Sequence, residues 1–335
     1  MTDPEKVESA TEPRKPSGKK LVLLLTVVGI IALIVLGAFG ARYYIWWTTS
    51  NKSIESAAAG DFPKAVAEGK AALEVMSFLP DPKASESTLR TLSSIYACRR
   101  NFAAALTYNY QLQELAKKTW GPESAEYALA VSELANIFLE QQKFRQAGML
   151  YANVIGIYKK LPGHEIDTAR TLALYAWALC KQNKWEEALA AINQSDEMMR
   201  KIVPESSYER LPAIIEGAYI SKALGKTTEF YADLASAYKI CTEPQDLEKS
   251  SHQTAVVLNL LAQLLDEAME EEHSAKVYSL AVKNCESSSF GGQYNIFMCH
   301  ILDLQAKQLR KINKVPQAEF AEARSKQVRE VKEPN

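Results

Sequence analysis

An aromatic residue, two variable positions and an alanine recur along this chain at a nearly fixed interval, and this recurrence limits the fold more than any other feature. The copies are Phe62-Pro63-Lys64-Ala65, Phe102-Ala103-Ala104-Ala105, Phe144-Arg145-Gln146-Ala147 and Trp185-Glu186-Glu187-Ala188, with alanines 40, 42 and 41 residues apart. Weaker copies continue at spacings of 42, 45 and 43: Phe230 takes the alanine slot after Gly225-Lys226, then Ala275 with Glu272 in the aromatic slot, then Ala318. Seven copies at so steady a period specify units that stack on their neighbours.

Each unit also carries an upstream helical stretch. From Ala125 to Gln141, Ala128, Val131, Leu134, Ala135 and Phe138 share one face at steps of three and four. From Phe144 to Lys160, Ala147, Leu150, Tyr151, Val154 and Ile157 do the same. Gln142-Lys143 between them allows only a tight antiparallel turn. Ala135 and Ala147 permit close approach of the two helices. The expected fold is all-α, an α-α superhelix of about seven helical hairpins over residues 51–335. A terminal unit needs a polar outer face, and the last helix, from about Pro316, supplies Glu319, Glu322, Arg324, Lys326, Gln327 and Arg329.

One apolar segment precedes the array. Leu21 to Ala41 is 21 residues long with Thr26 its one polar side chain, and at about 1.5 Å per residue it spans the hydrocarbon of a bilayer. Residues 21–41 are therefore expected to form a transmembrane helix, and residues 42–50, with Tyr43, Tyr44, Trp46 and Trp47, an aromatic interfacial segment. Arg14, Lys15, Lys19 and Lys20 precede the helix, whereas only Arg42 and Lys52 follow it closely. This bias places the N-terminus, a flexible tail of residues 1–20, in the cytoplasm and the array outside it. Ala38-Phe39-Gly40 before Ala41 offers a signal-peptidase alternative, but the apolar stretch is longer than a signal core.

Composition narrows the function. With 39 basic against 40 acidic residues the chain lacks the bulk charge of a nucleic-acid binder. Only 14 Gly and 13 Pro, with 47% hydrophobic residues, argue against disorder and turn-rich β folds. His164, His252, His273 and His300 are scattered, and no phosphate loop, nucleophile elbow or zinc spacing occurs. Gly291-Gly292 reads as a turn, and Glu267, Glu270, Glu271 and Glu272 as a solvated acidic turn. Cys98, Cys180, Cys241, Cys285 and Cys299 fall on helical stretches, where free Cys behaves as a small buried hydrophobe; Cys285 and Cys299 are the one pair near a common turn. No cofactor, metal or catalytic residue is expected.

Gly121-Pro122-Glu123, Leu134-Ala135, Phe138, Lys143-Phe144, Ala147, Leu150-Tyr151 and Val154 together resemble the tetratricopeptide repeat in its longer form of about 42 residues, as in kinesin light chains. The resemblance covers roughly residues 50–330, closest around Ala105, Ala147 and Ala188 and weakest in the last three units, where Gly217 replaces the usual Leu. It implies that the first helix of each pair lines a concave groove for a peptide or partner helix. The groove positions are Arg90, Asn136, Trp177, Lys181, Tyr219 and Lys222, a set that partly resembles the carboxylate clamp of chaperone-binding members. Cations and amide donors beside an aromatic wall suit an acidic or C-terminal segment of another protein. The resulting expectation is a membrane-anchored, non-enzymatic scaffold or assembly factor. The alternatives are a helical envelope enzyme with an acid such as Asp303, and a cytoplasm-facing adaptor of inverted topology.

Overall fold

A computed structural model describes residues 18–76, 81–205, 207–242, 252–286 and 296–330. Arg14, Lys15 and the Gly291-Gly292 turn lie outside the described residues. Those described form fourteen α-helices, one 3-10 turn at Tyr208–Arg210 and no strand. Seven hairpins follow in order: α1 (Gly18–Ala58) with α2 (Phe62–Met76), α3 (Pro82–Cys98) with α4 (Phe102–Thr119), and α5 (Ala125–Glu140) with α6 (Phe144–Tyr158). Next come α7 (Glu165–Cys180) with α8 (Trp185–Ile202), α9 (Leu211–Ala223) with α10 (Thr227–Thr242), α11 (His252–Glu267) with α12 (Glu271–Glu286), and α13 (Ile296–Lys311) with α14 (Val315–Glu330). Each helix packs mainly on its sequence neighbours, and α9 also touches α7 and α11, which gives an α-α superhelix.

The seven hairpin turns share one backbone solution. Two residues before each second helix the chain turns left-handed, at Gly60, Arg100, Gln142, Asn183, Gly225, Met269 and Asn313, with φ between 57° and 81°. The next N–H then reaches back to the first helix: Asn101 to Tyr96 O at 2.9 Å, Lys143 to Phe138 O at 2.8 Å, Glu270 to Leu265 O at 2.8 Å. This closure satisfies carbonyls that a helix end leaves open. Only two of the seven positions carry Gly, so five turns hold a side chain in a region that Gly occupies at lower cost.

The turns also fix the register. The fourth residue of each second helix is buried: Ala65, Ala105, Ala147, Ala188, Phe230, Ser274 and Ala318. Twelve residues earlier, on the first helix, stand Ser53, Ser93, Ala135, Ala176, Ala218, Ala262 and Ala306, all buried and all small. Ser53 Oγ donates to Ala65 O at 2.7 Å and Ser93 Oγ to Ala105 O at 3.1 Å. In the sixth hairpin the donor changes sides, Ser274 Oγ to Ala262 O at 2.7 Å. The slot read from sequence as Ala275 therefore belongs to Ser274, and the helix opens at Glu271 where Glu272 was expected. The aromatic-and-alanine pattern placed this copy one residue late because neither residue type is present at Glu271 and Ser274.

Among the described residues one helix, α1, is long and apolar enough to cross a membrane. It runs unbroken from Gly18 to Ala58, so residues 42–50 are helical and the expected boundary at residue 51 falls inside α1. Its outer part presents Leu33, Ile34 and Leu36 at 66–70% exposure. Tyr43, Tyr44 and Trp47 are also exposed, but Trp46 leaves the expected belt. It is 9% exposed, clusters with Ala72, Met76 and Ala84, and donates Nε1–H to Thr88 Oγ1 at 2.9 Å. The same helix thus carries the apolar stretch and serves as the first helix of the first hairpin.

Cys180, Cys241, Cys285 and Cys299 are buried, Cys98 is exposed, and all five are free thiols. At the far end, Glu319, Glu322, Lys326, Gln327 and Arg329 of α14 are exposed, with Phe320 among them.

Candidate peptide-binding surface

Five of the six groove candidates sit on the first helices of four successive hairpins and Lys181 caps the end of α7, but their charges are used differently. Arg90 on α3 is pinned: Nη2 meets Glu86 Oε1 at 2.8 Å, and Nε meets Glu133 Oε1 on α5 at 2.5 Å. Its guanidinium ties two repeats together. Lys222 on α9 pairs with Glu267 on α11, and its Nζ lies 6.0 Å from the Phe230 ring centroid. Asn136 uses its carbonyl to accept the Tyr151 hydroxyl at 2.5 Å, which leaves the amide nitrogen as its remaining donor.

Trp177, Lys181 and Tyr219 come together. The Trp177 and Tyr219 rings, on α7 and α9, meet at 5.6 Å between centroids and an interplanar angle of 52°. Trp185, at the start of α8, meets Tyr219 from another side at 5.9 Å and 53°. Tilted rings at these separations are attractive beyond their area alone. Lys181 Nζ lies 4.1 Å from the Trp177 centroid and 5.9 Å from that of Tyr219. Exposed and held by rings alone, Lys181 differs from Arg90 and Lys222, which have carboxylate partners. Of the three candidate cations, Lys181 is the one without a carboxylate partner. Trp185 entered the sequence pattern only as a repeat aromatic, and its place in this cluster depends on how α8 packs beside α9.

A further residue of α9 escaped sequence reasoning. Glu216 on α9 is 8% exposed and its Oε2 has no hydrogen-bond partner. Burial alone drives its carboxyl well above the usual range. The signal was legible: Glu216 is the one charge in the run Leu211-Pro212-Ala213-Ile214-Ile215-Glu216-Gly217-Ala218-Tyr219-Ile220. Glu133 is also pushed up by burial, against the opposing charge of Arg90, and its Oε2 likewise lacks a partner.

Other candidate chemistry is tied down. Asp303 accepts from Ser325 Oγ at 2.7 Å and pairs with Arg329. His164 Nδ1 contacts Asp167 at 2.8 Å, and His273 contacts Glu270 at 3.2 Å. Among the described residues no cluster of three metal-ligating side chains occurs.

Residues 126–201 match the tetratricopeptide repeat family. No curated protein sequence matches the chain. Solved structures share the fold at low identity. Aspartyl phosphate phosphatase F from Bacillus subtilis aligns over 90% of this chain and 74% of its own, at 14% identity and a TM-score of 0.60. A Rap protein complexed with Competence and Sporulation Factor aligns over 85% and 74%, at 12% identity and 0.52. A kinesin-light-chain protein of Podosopora anserina with nearly identical repeats aligns over 59% and 96%, at 17% and 0.50.

Proposed function

We propose, for this tetratricopeptide-repeat superhelix, the role of a membrane-anchored scaffold or assembly factor that holds a segment of another protein along its first helices. The observation that carries the reading is the Trp177–Tyr219 pair with Lys181: an aromatic wall bridging two repeats, topped by a cation without a carboxylate partner. A segment bearing a carboxylate would pair with Lys181 while its apolar atoms cover the rings. Asn136 adds an amide donor one repeat away. Arg90 and Lys222 order the repeats around this patch through Glu133 and Glu267. A Rap protein of similar fold was solved with Competence and Sporulation Factor, which supports a binding role for the architecture.

The exposed apolar face of α1 supports insertion into a bilayer. The excess of Lys and Arg ahead of residue 21 supports a cytoplasmic N-terminus and an array outside the cytoplasm. Bond-making has no comparable support, since Asp303 is engaged by Ser325 and Arg329.

Cross-linking and affinity capture from intact membranes with the full chain, beside W177A and K181E variants, tests the reading. Specific captured proteins should decline at least tenfold with either variant. Capture unaffected by both would move the site elsewhere. A reporter fused after Asn335 should be active only outside the cytoplasm; activity inside would invert the topology and restore the adaptor alternative.

A further inference from the structure

We propose that Glu216 receives a basic side chain from the bound segment, an inference that rests on the groove reading above and deepens it. The carboxyl is more than nine-tenths buried, with Oε2 unpaired. Such a group weakens a fold unless something completes it. Glu216 lies three residues before Tyr219, so the two share one side of α9. Its charge is felt by the Tyr151 hydroxyl and the Cys180 thiol, the latter pushed up to about 12 mainly by burial. The helix that carries Glu216 packs against α7, from which Trp177 comes. Lys181 lies over the Trp177 and Tyr219 rings, Lys222 pairs with Glu267, and Arg90 pairs with Glu86 and Glu133. None of these cations completes Glu216.

The Trp177 and Tyr219 rings already hold one ammonium, and a buried carboxyl three residues from Tyr219 on the same helix suits a guanidinium or ammonium group. The partner segment thus carries two charges: an acid for Lys181 and, at a fixed spacing from it, an Arg or Lys for Glu216.

The test uses the full chain in nanodiscs and a fluorescent library of random nine-residue peptides, selected in parallel on the wild type, W177A and E216Q. Wild-type selection should enrich peptides pairing Asp or Glu with Arg or Lys at one spacing, and W177A should abolish enrichment. For an enriched peptide, replacing its basic residue by Gln should weaken binding at least tenfold on the wild type and less than twofold on E216Q. Equal losses on both proteins, or enrichment without a basic position, would overturn the inference and leave the groove reading standing. No enrichment at all would remove both. E216Q should also unfold at a temperature equal to or above the wild type's. A clear decrease would assign the carboxyl to the fold and overturn the inference.

Discussion

Trp46 on α1 donates its indole N–H to the Thr88 hydroxyl on α3 at 2.9 Å, and the same hydroxyl donates to Ala84 O at 2.9 Å. Both residues are buried, so the hydroxyl closes two bonds that water does not replace. Thr88→Val keeps the shape and leaves the indole N–H unpaired, at a cost of about 1–3 kcal/mol. Because repeats are stabilised by neighbours, hydrogen exchange should rise in α1 to α3 first, with α9 to α12 little changed. Uniform loss of protection would show that the array unfolds as one unit.

The joint between the fourth and fifth hairpins depends on a buried charge. Arg210 is 2% exposed and bonds Asp196 Oδ1 through Nε at 3.1 Å and Nη2 at 2.7 Å, with Nη1 on Glu205 O at 3.0 Å. Asp196→Ala leaves the guanidinium buried without its counter-ion and should cost about 3–5 kcal/mol in a denaturant titration. Replacing the exposed partner in the Lys201–Glu197 pair should change stability far less, since surface pairs contribute little.

Met269 occupies the sixth left-handed turn at φ 64° and is 81% exposed. Met269→Gly removes the Cβ strain and loses almost no packing. Thermal unfolding should show a gain of up to about 1 kcal/mol, reduced by the greater freedom of Gly in the unfolded chain. At the tight contact between Ala135 and Ala147, both fully buried, Ala147→Leu should cost about 1–3 kcal/mol by overpacking.

Asp233 on α10 is raised from 3.8 to about 6, chiefly by burial and then by the charge of Asp196. Between about pH 4 and 6 the folded chain keeps a proton that the unfolded chain has released. Stability from this group is greatest below that window and is lost as pH rises through it. Asp233→Asn should flatten that segment of the pH profile and stabilise the protein at pH 7 by on the order of 1 kcal/mol, a figure reduced for its partial exposure. An unchanged profile would exclude Asp233 as its source.

Most of the fold was legible because small residues recur at the hairpin contact where two helices approach closely, with Phe230 the one large exception. The interval between Ala105, Ala147 and Ala188 therefore survives in the sequence itself. The register slipped only at Ser274, whose hydroxyl serves the same contact by donating to Ala262, so that chemistry replaced the letter being sought. The left-handed turns were hidden for a related reason: five of them use Arg, Gln, Asn or Met where a reader looks for Gly. The site was less legible. Spacing placed Trp177, Lys181 and Tyr219 on one surface, but whether a cation is free depends on acids in other repeats. Nothing near Arg90 or Lys222 in the chain announces Glu133 or Glu267 as their partners, 43 and 45 residues away. Glu216 needed no such knowledge, since an isolated acid in an apolar helix already marks itself.

The unbroken course of α1 through Trp46 places no loop between the apolar stretch and the first hairpin. Any lean of the apolar half is handed on at full angle to the hairpins above, and the displacement grows with distance from the pivot. A captured partner would accordingly be delivered on a fixed bearing, aimed by the foot of the rod and not found by free rotation.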